Sequence, residues 1–438
     1  MHTVYGAQHL FGFMNIQRKY LFSLLILGTF FLPSTIFAAT VQYYVDPTGT
    51  NAVENGTSSG AGAWATLQYA IDNVANPTTD TIIINIAAGT YTLNNDDVQI
   101  SRNFTNLTLQ GAGATTTIVQ PSADPSTSET GNFYITDNSV VTFKDMQIRY
   151  GRRVSAERAT SAATGIHKAG SGALSIYRVW FDDNDNTNSS GRGALQASWL
   201  TMEDSLVSNS DATSGTFTRG GVTLVGGNSR IINTTFYNIR GGSSSSGAIY
   251  VSNSNNLSLI NSTIYGGSVS GFGNVMVDNG GTIYMKNTLI AQTSGTGFYK
   301  GTSASVVDGG NNLVESSNYT WSGANGNITG VQGSLNMQSE PTDNGGSVPT
   351  MALLADSVAI DGGNSMPFND IYMPVQDATG GYRGTPQTLV HLNIIVVTRY
   401  QVTVHQVLLQ PIFLLEQFLK RVPPLVGQMA TVCFAQCL

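Results

Sequence analysis

Apolar and polar residues alternate in short bursts along most of this chain. Each burst is opened by a glycine: Gly131, Gly165, Gly193, Gly221, Gly247, Gly273 and Gly297, at separations of 34, 28, 28, 26, 26 and 24 residues. Period-two alternation predicts half-buried strands rather than helices. A second series follows the glycines by about 11 to 14 residues: Asp145, Arg178, Asp204, Asn233, Asn261, Asn287 and Asn311, with Gly111 as an earlier member. All of these except Arg178 suit a left-handed bend. Repeats of this length, each with two or three short strands, predict an all-β solenoid, the parallel β-helix. Its coils stack at the inter-strand spacing of roughly 4.8 Å.

Parity within each burst predicts which side chains leave the core. The second and fourth residues after the glycine are mostly apolar, as in Phe133 and Ile135, Leu195 and Ala197, Ile249 and Val251, and Val275 and Val277. Those should point inward. The residues between them predict an outward row of Tyr134, Lys168, Gln196, Leu224, Tyr250, Met276 and Lys300, one per coil. By the same count His167 falls on the inward side and reads as a core residue.

Composition narrows the picture. Only 11% of the 438 residues are charged, against about 25% in an ordinary globular domain, so stacked strands carry few like-charge ladders. The net charge of −7 offers no footprint for nucleic acid. A solenoid grows by adding coils, so this length needs no division into separate globular domains. At the N-terminus, Arg18 and Lys19 precede an apolar run over 20–32 that ends in the small residues Ala38 and Ala39. This predicts a secretory signal peptide over 1–39, with Met14 as a more typical start. The run is too short to span a bilayer, so the mature β-helix is expected to carry no transmembrane span and to be secreted, extracellular or held at a bacterial cell surface.

The mature chain opens with Tyr43-Tyr44-Val45-Asp46, Gly49, a Gly/Ser-rich stretch over 56–62 and Trp64-Ala65-Thr66-Leu67-Gln68. A helical segment over 67–74 follows, with Leu67, Ala70, Ile71 and Val74 on one face, which suits it to cover the open end of a coil. A strand over 81–86 and Gly89-Thr90-Tyr91 come next. This opening resembles the N-terminal cap of secreted right-handed parallel β-helix proteins of pectate-lyase-like fold, a group that includes polysaccharide lyases. Further on stand Asn287-Thr288-Leu289-Ile290-Ala291, Gly309-Gly310-Asn311-Asn312-Leu313, Asp343-Asn344-Gly345-Gly346 and Leu353-Leu354-Ala355-Asp356-Ser357-Val358-Ala359-Ile360-Asp361-Gly362-Gly363. In that order they resemble the choice-of-anchor Q β-helix family. The resemblance implies a right-handed coil and an exported protein with a variable C-terminal anchor. Most members of that family have no assigned chemistry. The expected organisation is a cap and first coil over 40–110, regular coils over 111–315 and a choice-of-anchor-Q-like segment over 316–386.

Beyond Pro386 the chain changes character: 387–438 is apolar, nearly free of glycine, and holds both cysteines, Cys433 and Cys437. The family pattern expects Asp-Ile-Gly-Ala-Phe-Glu near this point. If 387–393 is encoded CAG ACA TTG GTG CAT TTG AAT, followed by AT, the alternate frame reads Asp-Ile-Gly-Ala-Phe-Glu-Tyr. The tail is therefore read as a frameshift product, and its cysteines as poor evidence for a disulfide or metal site.

Chemistry is sought on the coils. A carboxylate-pair hydrolase wants two acids close together on one face, but the outward row offers only Asp278 near one end, and Asp145 and Asp204 sit in the bend series. The sequence is thus read as a non-catalytic β-helix, glycan-binding or adhesive, with Tyr134, Lys168, Gln196, Tyr250 and Lys300 as the contact face. Its expected partner is a polysaccharide or cell-surface glycan, and no cofactor is expected. The rival reading is a calcium-assisted uronate lyase. In it Lys168 or Arg152 is the base and Asp182, Asp183 and Asp185 hold Ca2+, although the run from Asp182 to Asn186 lacks the glycine and distal glutamate of an EF-hand loop. The loops closing successive coils bring further charge: Arg152, Arg153, Glu157 and Arg158, then Arg192, then Asp211 and Arg219.

Resequencing the gene around the Pro386 codon should reveal a shifted frame. Recovery of the peptide 415–420 from the secreted protein would show the tail to be genuine.

Overall fold

Parallel strands can repeat along a coil only if the chain turns back at the same places each time, and the bend series does this. In the computed structural model, which describes residues 38–154, 162–269, 271–330, 335–374 and 376–377, Asp145, Arg178, Asp204, Asn233, Asn261, Asn287 and Asn311 all have φ between +49° and +56°. Arg178 is no exception despite its Cβ, which costs about 1–2 kcal/mol in this conformation. Its guanidinium grips the bend residue one coil below, with Nε donating to Asp145 Oδ1 at 2.6 Å and Nη2 to Oδ2 at 2.8 Å. Further up the column, Asn233 donates to Asp204 Oδ1 at 3.1 Å and Asn287 to Asn261 Oδ1 at 2.8 Å.

The result is a right-handed parallel β-helix. Among the described residues one wall is an eight-stranded parallel sheet that includes Phe133–Ile135, Ile166–Lys168, Leu195–Ser198, Val222–Gly226 and Ser246–Val251, one strand per coil. We call it the first sheet. The other two walls, hinged at the bend column, form a single eighteen-stranded parallel sheet. Loops that return the chain to the first sheet add short pairs of their own, Arg152–Arg153 with Asp185–Asn186 and Arg240–Gly241 with Ser268–Val269. We refer to these loops as arms.

Inside, identical positions on successive coils stack. Ile84, Leu109, Phe143, Ile176, Met202, Ile231, Leu259 and Met285 are register partners in an unbroken file, and every one is fully buried. Each contributes about 1.5–3 kcal/mol by leaving water. The N-terminal end is closed as the amphipathic pattern implies: helix Leu67–Asn73 buries Leu67, Ala70 and Ile71, and the Thr66 side chain caps it by accepting from Tyr69 N. From the other end, a strap of chain runs back along the outside of the bend column. Asn311, Asn287 and Asn233 donate in turn to the carbonyls of Gly362 (2.9 Å), Asn364 (2.8 Å) and Gln376 (3.2 Å).

The expected signal peptide up to residue 37, the expected frameshifted tail with Cys433 and Cys437, and Glu157 and Arg158 lie outside the described residues. Among the described residues no helix is long and apolar enough to cross a membrane.

Replacing buried Asn261 by alanine should cost roughly 2–3 kcal/mol, the sum of a left-handed penalty and one lost hydrogen bond. Replacement by glycine should cost only the second part. Thermal melts of the two variants check this, and equal losses would argue against a left-handed requirement at the bend.

Candidate functional site

The outward row exists, but it is not quite the predicted one. Strand register aligns Tyr134, His167, Gln196, Thr223, Tyr250, Met276 and Tyr299. Tyr134, Gln196, Tyr250 and Met276 stand where expected, while Lys168 pairs with Ile135, Leu224 with Ala197 and Val251, and Lys300 with Val277, all on the inward side. The cause is the spacing between glycine and strand. Gly165, Gly221 and Gly297 precede the aligned position by two residues, the other four by three, so counting from the glycine reverses parity on three coils. Aligning the apolar pairs with one another would have placed His167 correctly.

Lys168 is therefore no contact residue. It is fully buried, its Nζ donates to the carbonyls of Ser139 at 2.8 Å and Asp137 at 3.3 Å, and burial pulls its pKa down to about 8. A lysine tied to a turn in the core cannot reach a polysaccharide, which removes it both from the binding face and as a lyase base. Lys300 lies on the last coil of the first sheet, half-buried, with Nζ on the neighbouring Gly301 carbonyl.

The true row is covered by arginines from the arms. Tyr134 and His167 stack with ring centroids 4.8 Å apart, and the Arg153 guanidinium lies 5.7 Å from the Tyr134 centroid while pairing with buried Asp97 at 2.9 Å. Gly131 makes room for it: a Cβ there would stand 2.6 Å from Arg153 Nη2. Arg192 donates to Gln196 Oε1, and Arg219 sits 3.9 Å over the Tyr250 ring. Burial first, then the charges of Arg153 and Arg192, hold His167 near pKa 4 against a hydrogen bond to Gln196. It is neutral at pH 7, with Nδ1 accepting from Ala163 N at 3.3 Å. Burial, then Arg219, lowers Arg192 to about 10.

Beside this face the arms stack into a charged column. Arg152 pairs in register with Asp185, Asp185 Oδ1 accepts from Asp211 N at 2.8 Å, and Asp211 bridges to Arg240, 3.6 Å away through side chains. Two carboxylates thus occupy adjacent coils between two guanidiniums. Burial above all, with the charges of Asp183 and Asp211, raises Asp185 to about 7; the Asp211 N–H and Arg152 pull the other way. Above the column opens a cleft of about 510 Å³ lined by small polar residues, among them Thr213, Ser214, Thr216, Ser243, Ser268 and Ser294.

The calcium cluster of the rival reading does not assemble among the described residues. Asp182 Oδ1 is taken by Ser208 Oγ at 2.7 Å and Asn209 Nδ2 at 3.0 Å, whereas Asp185 faces the next arm. No group of three or more His, Cys, Asp or Glu converges among the described residues. Asp145 and Asp204 stay in the bends.

Residues 55–184 match the pectinesterase family model. The matched stretch is less than a third of the chain and includes Asp97, Tyr134, Arg152, Arg153, His167, Asp182 and Asp183. It overturns the reading of this chain as a non-catalytic glycan binder, because the family it matches is one of enzymes. No curated protein matches. Similar solved structures include a pectin methylesterase from carrot (13% identity, 69% of this chain and 90% of that one, TM-score 0.34). A rhamnogalacturonan lyase (14%, 62% and 68%, 0.33) and the pectin methylesterase PemA from Erwinia chrysanthemi (16%, 60% and 81%, 0.29) are also similar.

The raised pKa of Asp185 sets a sign for stability. Its folded-state value lies above the unfolded 3.8, so the folded state holds the extra proton, and stability falls as pH rises from about 4 to 7. Asp185→Asn mimics the protonated acid at every pH. Its melting temperature should match the parent near pH 4 and exceed it by a few degrees at pH 8; a constant difference across that range would contradict the assignment.

Proposed function

We propose that this protein is an exported enzyme that hydrolyses esters on a uronate-rich, pectin-like polysaccharide. The pectinesterase match over 55–184 carries the proposal. The arms support it, since ester hydrolysis wants a proton acceptor poised near neutral pH and a fixed positive charge for the developing oxyanion. Asp185, with a pKa of about 7, fits the first role and Arg152, its neighbour in register, the second. Ionised Asp185 takes a proton from water as the water oxygen bonds to the ester carbonyl carbon. The carbonyl electrons move onto oxygen beside Arg152. As they return, the carbon–oxygen bond to the alcohol breaks, and the alcohol leaves with the proton held by Asp185. Burial above all, with the charge of Asp183 next, keeps the pKa of Asp185 high. The polar cleft along the arms suits the neighbouring sugar units.

Export is part of the same proposal, supported by the basic and apolar pattern before Ala39. So is a choice-of-anchor-Q-like segment over 316–386, supported by its four ordered motifs.

Mature protein incubated with methyl-esterified and with acetylated pectin should release methanol or acetate, and Asp185→Asn should lower the rate about 100-fold. A folded parent that releases neither, or that instead forms unsaturated products absorbing in the ultraviolet, defeats the ester reading.

A further inference from the structure

One aromatic side chain on the outer surface is held in a backbone conformation that is costly for its type, with about half of its surface left exposed. Trp199 stands at the corner between strands Leu195–Ser198 and Leu200–Glu203, with φ +53° and 47% of its surface exposed. For a bulky residue that conformation is a genuine outlier. At such corners on later coils the left-handed positions are taken by Gly227, Asn253, Ser254, Asn279 and Gly280; the Gly and Asn among them tolerate it at little cost, and none is bulky. Two further features fit the surroundings to the indole. The sheet register slips between Ala197 and Ser198, opposite Gly226, a kind of irregularity that re-aims the side chains after it. Gly227 then lies against the ring, where a Cβ would be 2.5 Å from Cδ2.

We propose that Trp199 is a docking platform for a pyranose ring of the polysaccharide, outside the ester-cleaving column. The indole gives a flat apolar face for sugar C–H groups and an N–H for a hydroxyl. Beside it in the chain and next to Gly227 are short polar groups rather than an apolar field: Ser198 and Asn228, the latter fixed by Asn256 Nδ2 at 2.8 Å. A protein partner or a membrane would want a wider apolar surround than Trp199 and half-exposed Val225 provide. Gln196 is three residues back along the strand, roughly 10 Å away, a span of about two sugar units. A chain passing over the arginines that cover the first sheet would therefore reach both the platform and the arms.

The choice of polymer rests on the proposed ester hydrolysis, and the test separates the two ideas. Native gels cast with pectin or polygalacturonate would retard the parent. Trp199→Gly, which suits the left-handed backbone, should keep or raise the melting temperature and weaken retardation at least tenfold. Trp199→Phe should retain most of it. Cleavage of a short soluble ester should be equal in all three. Unchanged retardation of Trp199→Gly overturns the platform, as does a parent that no gel retards. A steep fall in melting temperature in Trp199→Gly also overturns it, because the indole is then a structural wedge. A parent that is retarded but cleaves no ester leaves the platform standing and removes the ester reading.

Discussion

Everything in this structure hangs on one backbone event repeated once per coil, a single residue turned to φ near +50°. That bend fixes the angle between the two walls of the larger sheet, and because it recurs in register it lets every other position recur too. The column is held by its own side chains: an ion pair from Arg178 to Asp145, then amide to carboxylate or amide above. Where Asn or Asp occupies the bend, the conformation is cheap. Where arginine does, a bidentate pair with the coil below offsets the cost.

Register has a consequence for charge. Side chains at one position on neighbouring coils are forced to within roughly 5 Å of one another at the backbone, so like charges that would avoid each other in a globular protein are made to meet. On the arms this sets Asp185 beneath Asp211, where burial above all, with the charges of Asp183 and Asp211 adding to it, raises the carboxyl to about 7. Over the first sheet it brings Arg192 next to Arg219, and burial first, then the Arg219 charge, lowers the Arg192 pKa. Burial alone can produce shifts of this size, and a fixed like charge adds to them. The arms supply both, because they fold over the sheet rather than stand in solvent.

The first sheet is accordingly a poor open binding surface. Its outer row of His167, Gln196, Thr223 and Tyr250 is almost wholly buried, closed under arginines, of which Arg153 is admitted by Gly131. The accessible chemistry lies at the edges of the sheet, in the polar cleft of the arms on one side and at the corner holding Trp199 on the other. The described part of the strap lies along the bend column, on a different wall.

Much of this was determined by the sequence alone. Period-two alternation, the recurring glycines and the Asn/Asp series are local signals, and a solenoid is assembled almost entirely from local signals, so the coil, its bends and its helical cap were legible before any coordinates. Parity was legible only where glycine and strand keep a constant offset. At Gly165, Gly221 and Gly297 the offset shrinks by one, and Lys168 and His167 exchange places. Nothing in their residue types announces that, since a lysine is rarely expected in a core and here is satisfied by two carbonyls. What only the tertiary structure decided is which charges from different coils meet. Arg152, Asp185, Asp211 and Arg240 are far apart along the chain, in loops of unequal length, and it is the stacking of the arms that turns them into one column.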